Sequence, residues 1–204
     1  DRRSIYIYIP TTRPPNCQAR WRSKLANYLN GIEIKWPKIW ASMGSFLTSP
    51  KDEWAWWTLI QRGFYALGKD KNITDQRCRS CKTCTETQLH ILICGNLKST
   101  REFLAKLILT LGNFDIDIHQ PRTILLLCDN NNTSLPEIPR AFIRLYWRMV
   151  QRHLTDNLKK KRIFVPDHVK KDLGFSIMSR ILAYQQQKQD FFYSRIHTHK
   201  DSVV

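Results

Sequence analysis

The sequence predicts a mostly α-helical protein built around a small cluster of metal-ligating side chains, with a short strand or extended arm at its N-terminus. Three observations predict it. Apolar residues recur at steps of three and four along most of the chain. The β-branched and aromatic run SIYIYI, Ser4 to Ile9, is short and ends at Pro10. Four of the six cysteines crowd with one histidine into CRSCKTCTETQLHILIC, Cys78 to Cys94.

The elements follow in order. Arg2, Arg3 and Arg13 flank the SIYIYI stretch, so residues 1–15 read as a basic extended arm. From about Asn16, Trp21, Leu25, Tyr28 and Leu29 recur at helical spacing, and Asn30-Gly31 ends that helix. Ile39, Trp40, Met43 and Phe46 form a shorter stripe. A third helix opens at Ser49-Pro50, an N-cap followed by a first-turn proline, and carries Trp54, Trp57, Ile60 and Phe64. Beyond the cysteines, Phe103, Leu104, Leu107, Ile108 and Leu111 mark a helix with Gly112 as its stop, placed to roof the cluster.

Residues 113–136 read as an irregular connection, within which RTILLLC suits a buried strand or a helical turn and DNNNTSLPEIP is a loop. The longest helix is expected over about Glu137 to Lys161, burying Ile138, Phe142, Leu145, Tyr146, Met149, Val150 and Leu154. Val165-Pro-Asp reads as a helix start, Leu173 to Ile196 as a helix, and HTHKDSVV as a loose tail. The organisation is therefore an arm at 1–15, a helical metal-binding region at 16–112, a connection at 113–136 and a basic helical region with its tail at 137–204.

With 42% apolar residues, 204 residues can bury a core without disulfides. Cys17 and Cys128 stand apart from the cluster, which is not the framework of a small secreted domain, so an intracellular, reducing compartment fits better. No run approaches the roughly 18 apolar residues of a membrane span. The chain opens at Asp1 and not Met, which reads as a processed chain or a stretch of a longer product.

Thirty-three Lys and Arg against seventeen Asp and Glu leave a net charge of +16, which self-repels unless a polyanion neutralises it. Arg140, Arg144, Arg148 and Arg152 stand four residues apart, so on a helix they form one stripe roughly 18 Å long, enough to track several phosphates. Lys159, Lys160, Lys161 and Arg162 extend it. Charge and forked donors without mixed Asn, Gln and Arg base readers point to phosphate contacts, with RNA favoured over duplex DNA where it is folded or single-stranded.

Within the cluster, Cys78-Arg-Ser-Cys81 forms a turn that delivers two thiolates to one side of a tetrahedral ion. His90 and Cys94, four apart, share a helical face and complete the set. Cys84 is a possible substitute for Cys81, and the alternative to a metal is buried thiols beside a core histidine. Zn²⁺ suits this donor set, and four protein ligands leave no open position, so the site is structural. Three thiolates and a neutral imidazole give the site a formal charge of minus one, which Arg77, Arg79 and Lys82 would screen while adding to a nucleic-acid surface.

This stretch, with Glu86-Thr87 ahead of Leu89 and His90, resembles the zinc-binding segment C-terminal to the polymerase domain in non-LTR retrotransposon reverse transcriptases. The upstream DEWAWWTLIQRG is similar to the tryptophan-bearing helix that precedes the cysteines there, and STREFLAKL extends the likeness to about residues 36–111. The chain has three residues between His90 and Cys94 where that family has four, and Cys84 is additional. The resemblance implies a nucleic-acid-binding role, either in a derivative recruited among the proteins of a ribonucleoprotein particle or in a fragment that positions template RNA or target DNA for reverse transcription. No Tyr-x-Asp-Asp polymerase centre occurs, and no acid two residues before a lysine follows Asp167 as a restriction-like nuclease motif requires, so no catalysis is expected of this chain. Asp115, Asp117 and His119 read as structural; two acids alone make a weak Mg²⁺ site.

Overall fold

The helix that organises the molecule is the one with the strongest apolar periodicity. It runs Glu137–Lys159 and is buried continuously from Ala141 to Trp147, so it passes through the core instead of lying on it. The structure, a computed structural model, describes residues 17–29, 33–41, 47–61, 66–129, 133–159 and 163–200. The expected arm at 1–15 lies outside them, as do Lys160, Lys161 and Arg162.

In chain order the α-helices are α1 (Cys17–Leu29), α2 (Trp36–Ala41), α3 (Pro50–Ile60), α4 (Gln88–Ile93), α5 (Lys98–Gly112), α6 (Pro121–Leu126), α7 (Glu137–Lys159) and α8 (Pro166–Lys200). The described residues are mostly helical and contain no strand, only the isolated bridges Arg77 to Thr85 and Cys128 to Ser134. RTILLLC is the helical turn and not the strand: Pro121 opens α6 and Leu127, in the left-handed conformation at φ 53°, closes it. Among the described residues, no helix is long and apolar enough to cross a membrane.

α7 packs on α3, α5 and α8, and α8 packs also on α5. One core cluster joins Trp21 and Leu25 of α1, Trp56 and Leu59 of α3, Leu104 and Ile108 of α5, Tyr146 and Trp147 of α7, and Leu173 and Ile177 of α8. Cys78 and Cys94 belong to the same cluster, so the cysteine segment is anchored in the main core. The fully buried Trp21 donates from Nε1 to the Ile60 carbonyl (2.7 Å), which satisfies the one polar atom its ring brings inside.

α3 begins where the sequence predicts, with Ser49 as N-cap and Pro50 in the first turn; the Ser49 backbone N–H and hydroxyl both donate to Asp52 (2.6 and 2.7 Å). Its buried face is only in part the predicted one: Ile60 is buried as expected, and Phe64 lies outside the described residues. Trp54 is 67% exposed, whereas Trp56 and Leu59 are buried together with Asp52 and Glu53. EWAWW is apolar on every side, so periodicity cannot phase it; the carboxylates that meet α7 turn the helix.

α5 ends at Gly112, but the left-handed residue that caps it is Asn113 (φ 54°). Gly112 serves close packing instead, since a Cβ there would stand 3.0 Å from the Phe114 ring and 3.2 Å from Ile138. Leu111, expected in the apolar stripe, is 39% exposed at this end. α8 opens at Pro166 as read, and its helix continues through His197, Thr198, His199 and Lys200, where a loose tail was expected.

Candidate metal centre

The segment from Gln76 to Glu86 turns back on itself with few residues to spare. Glu86 N–H donates to the Gln76 carbonyl (2.8 Å) and Cys78 N–H to the Cys84 carbonyl (2.7 Å), while Lys82 N–H closes the turn onto the Cys78 carbonyl (2.8 Å). Lys82 sits in the left-handed region (φ 61°), which lets the chain reverse between Cys81 and Cys84. Ser80 N–H points at Cys78 Sγ (3.4 Å), a contact that favours the thiolate.

The other half comes from α4. Thr87 is its N-cap and accepts from His90 N–H (3.0 Å), which sets the first turn and aims the imidazole back at the hairpin. Cys94 lies one residue past Ile93 as the C-cap, so its sulfur leaves the helix end and not its face.

The two halves meet. Cys78 Sγ is 4.0 Å from Cys94 Sγ and Cys81 Sγ is 3.3 Å from His90 Nε2. All four ligand atoms lie within 4.8 Å of one another, and among the described residues this is the one such group. A tetrahedral ion about 2.3 Å from each sulfur holds its ligands roughly 3.7 Å apart, so the four residues are close enough to hold one ion. Cys84 is exposed and its thiol stands outside the group; its carbonyl, which accepts from Cys78, is what the hairpin uses.

The thiols are tuned for a cation. The hydrogen bond from Cys78 holds the Cys94 thiol down at about 5, and the same bond together with burial pushes the Cys78 thiol up. Burial raises Cys81, but hydrogen bonds from the Thr83 hydroxyl, the Cys84 and Thr83 backbone and His90 outweigh it and bring the thiol to about 7. The surroundings thus favour the thiolate at Cys81 and Cys94 and the thiol at Cys78. A bound cation deprotonates the third.

Behind the ligands stands Glu86, fully buried, which the composition gives no reason to place inside. Its carboxylate accepts from Leu67 N–H (3.0 Å), Arg79 N–H (2.9 Å) and the Arg79 guanidinium (2.6 Å), and Arg79 Nη1 donates on to the Leu154 carbonyl of α7 (3.2 Å). Gly68 is needed beside it, since a Cβ there would stand 2.7 Å from the Glu86 carbonyl oxygen. Asn96 Nδ2 donates to the Ser80 carbonyl (2.8 Å) and Arg101 Nη1 to the Cys94 carbonyl (3.2 Å). Each half of the cluster is thus fastened to a neighbour, the Cys94 end by α5, as the predicted roof requires.

The arginine stripe is not a continuous surface. Arg144 is fully buried, pairs with Glu53 (2.9 Å) and lies 4.8 Å over the Trp56 ring. Arg148 pairs with Asp52 (2.9 Å), which also holds Arg180 (2.6 Å). Arg79, 5% exposed, is likewise committed to Glu86. These three corrections share a cause: arginines facing buried carboxylates pay for core acids and are not available to phosphates. Arg140 is half-buried; Arg152 is exposed, with Asp156 at 3.8 Å; Arg77 is exposed and paired with Asp75 (2.8 Å); Lys82 and Lys159 are exposed. The signal for the internal pairs was present as adjacent acids, Asp52-Glu53, facing arginines one helical turn apart. Asp115, Asp117 and His119 are exposed, and Asp117 accepts from the His119 backbone N–H (3.1 Å).

No protein-family model, curated protein sequence or solved structure matches this chain.

Proposed function

We propose that this chain is a non-catalytic nucleic-acid-binding protein whose fold is fastened by one structural Zn²⁺ at Cys78, Cys81, His90 and Cys94, with RNA its favoured partner. The observation that carries the reading is the closed Cys3His group, all ligand atoms within 4.8 Å, in a chain of net charge +16. Three sulfurs and one imidazole select zinc over the oxygen-loving cations, and four protein donors leave no position for a reactive water. The ion would supply folding energy by tying the Gln76–Glu86 hairpin to α4.

Among the described residues, Lys82 beside the cluster and Arg152 and Lys159 at the end of α7 are exposed cations, and Lys160, Lys161 and Arg162 extend that charge in the sequence. The likeness of the cysteine segment to that of non-LTR retrotransposon reverse transcriptases supports a nucleic-acid role and a retroelement origin, with service in a ribonucleoprotein particle as its present use. Titrating zinc-loaded protein into labelled folded RNA, single-stranded RNA and duplex DNA at several salt concentrations tests this. Binding to RNA that weakens steeply with salt is expected; no RNA binding at about 50 mM salt, where phosphate contacts are strong, sinks the proposal.

A further inference from the structure

The metal centre is unevenly shielded. Cys78 and Cys94 are buried with their sulfurs 4.0 Å apart, whereas Cys81 is half-buried, so one ligand sulfur lies at the rim. Beside that rim stands a thiol that the centre does not use. Among the described cysteine side chains Cys84 is the exposed one, and Thr83 links it to Cys81: the Thr83 hydroxyl donates to Cys81 Sγ (3.1 Å) and stands 3.6 Å from Cys84 Sγ. Two sulfurs around one hydroxyl, with only Lys82 and Thr83 between their residues, have the spacing of a redox dithiol.

The backbone holds the pair at a reversal of the chain. Lys82 supplies the left-handed step (φ 61°), its N–H donates to the Cys78 carbonyl (2.8 Å), and the Cys84 carbonyl accepts from Cys78 N–H (2.7 Å). A disulfide from Cys81 to Cys84 closes a loop of four residues and involves no other element of the fold. The rival pair, Cys78 and Cys94, is buried, and a bound ion occupies both of its sulfurs. An oxidant meets the exposed, uncoordinated sulfur first.

Resting on the reading of the Cys3His group as a zinc site, we infer that Cys84 is an oxidation site through which a peroxide releases the metal. Hydrogen peroxide gives one oxygen to Cys84 Sγ: the O–O bond breaks, an S–O bond forms and one water leaves, so Cys84 becomes a sulfenic acid. Cys81 Sγ then leaves the zinc and attacks Cys84 Sγ. The S–S bond forms, the S–O bond breaks, and the departing hydroxide takes a proton from solvent to become a second water. The two sulfurs together lose two electrons, and the peroxide gains them. Cys81 has then lost its negative charge, three protein donors remain, and the hold on zinc weakens. A thiol reductant reverses the step and returns the fourth ligand.

Treating the zinc-loaded full-length protein and its Cys84→Ser variant with hydrogen peroxide, while a chromogenic chelator reports free zinc, tests this. The unaltered protein should release its zinc, and Cys84→Ser should release it at least about 10-fold more slowly. Dithiothreitol followed by zinc should restore the loaded form. Before oxidation the variant should carry zinc and melt like the unaltered protein, which shows that its fold is intact. In a tryptic digest of the oxidised protein, cleavage after Arg79 and Lys82 puts Cys81 and Cys84 on separate peptides, and fragmentation should place the disulfide between them. Equal release from both proteins overturns the inference, as does a disulfide that joins Cys78 to Cys94 or one chain to another. A variant purified without zinc, from a protein that holds it, makes Cys84 a ligand and also overturns it. An unaltered protein without zinc before any oxidant is added is a different failure, which overturns the metal reading and this inference with it.

Discussion

At the scale of single residues the metal ligands and the buried acids carry the sharpest expectations. Purified protein should hold one zinc per chain by elemental analysis. Cys81→Ser should lose it, whereas Cys84→Ser should keep it, because the Cys84 thiol stands outside the group and only its backbone carbonyl is used. Equal loss in both variants would mean that the two thiols share the ligand role. Arg144 is the second case. Its desolvation is offset by Glu53 and the face of Trp56, so Arg144→Met leaves a buried carboxylate unpaired and should cost about 3 to 5 kcal/mol in denaturant unfolding. Replacing the pair together, Arg144→Met with Glu53→Leu, should recover most of that.

Asp52 makes the same network sensitive to acid. Burial alone would raise its carboxyl, but hydrogen bonds from Arg148 and Ser49 and the nearby Arg180 charge outweigh burial and hold it below the ordinary 3.8. A depressed carboxyl contributes stability that is complete above the unfolded value and is lost as pH falls through the folded one. The molecule should therefore lose stability as pH drops below about 3.8, and Asp52→Asn should flatten that part of the profile while lowering stability at neutral pH. An identical acid limb in the variant would place the titrating group elsewhere.

At the scale of elements, what could be read in the sequence was what local chemistry dictates. The Ser49-Pro50 start of α3, the Pro166 start of α8 and the apolar stripe of α7 need only capping, proline geometry and a 3.6-residue period, and the structure has all three. The meeting of Cys78, Cys81, His90 and Cys94 was legible for the same reason: two short local turns present the ligands. The facing of α3 was not legible, nor was the burial of Arg144 and Arg148, because a buried ion pair is decided by which helix lies opposite. Glu86 was equally hidden. Its partner Arg79 is brought to it by the hairpin, Leu67 comes from the turn before it, and Leu154 of α7 meets Arg79 only in the tertiary structure.

That latch predicts how the elements respond to metal removal. Chelation should open the Gln76–Leu97 segment first, since zinc of this kind supplies on the order of 10 kcal/mol of binding energy that the hairpin and the six-residue α4 cannot replace. Amide hydrogen exchange should quicken there while the centres of α5 and α7 stay protected. Glu86→Gln should loosen the same amides even with zinc bound, because it weakens the charged hold on Arg79. Uniform quickening along the whole chain on chelation would instead make the metal segment and the helical core one cooperative unit.

For the whole molecule the question is where the excess positive charge acts. Burial of Arg79 and Arg144 and the Asp52 pairing of Arg148 remove three of the candidate phosphate contacts; of the others, Lys82, Arg152 and Lys159 are exposed, and Lys160, Lys161 and Arg162 follow α7 in the sequence. Replacing Lys159, Lys160, Lys161 and Arg162 together with Ala should weaken binding to every RNA tested. It should also flatten the slope of log affinity against log salt by roughly 3 units on single strands, at about 0.7 per phosphate contact. Lys159 is exposed, and a thermal melt unchanged in the variant would separate a lost contact from a lost fold. Weakening confined to one sequence would indicate base readout, and an unchanged slope would move the phosphate track to another face of the molecule.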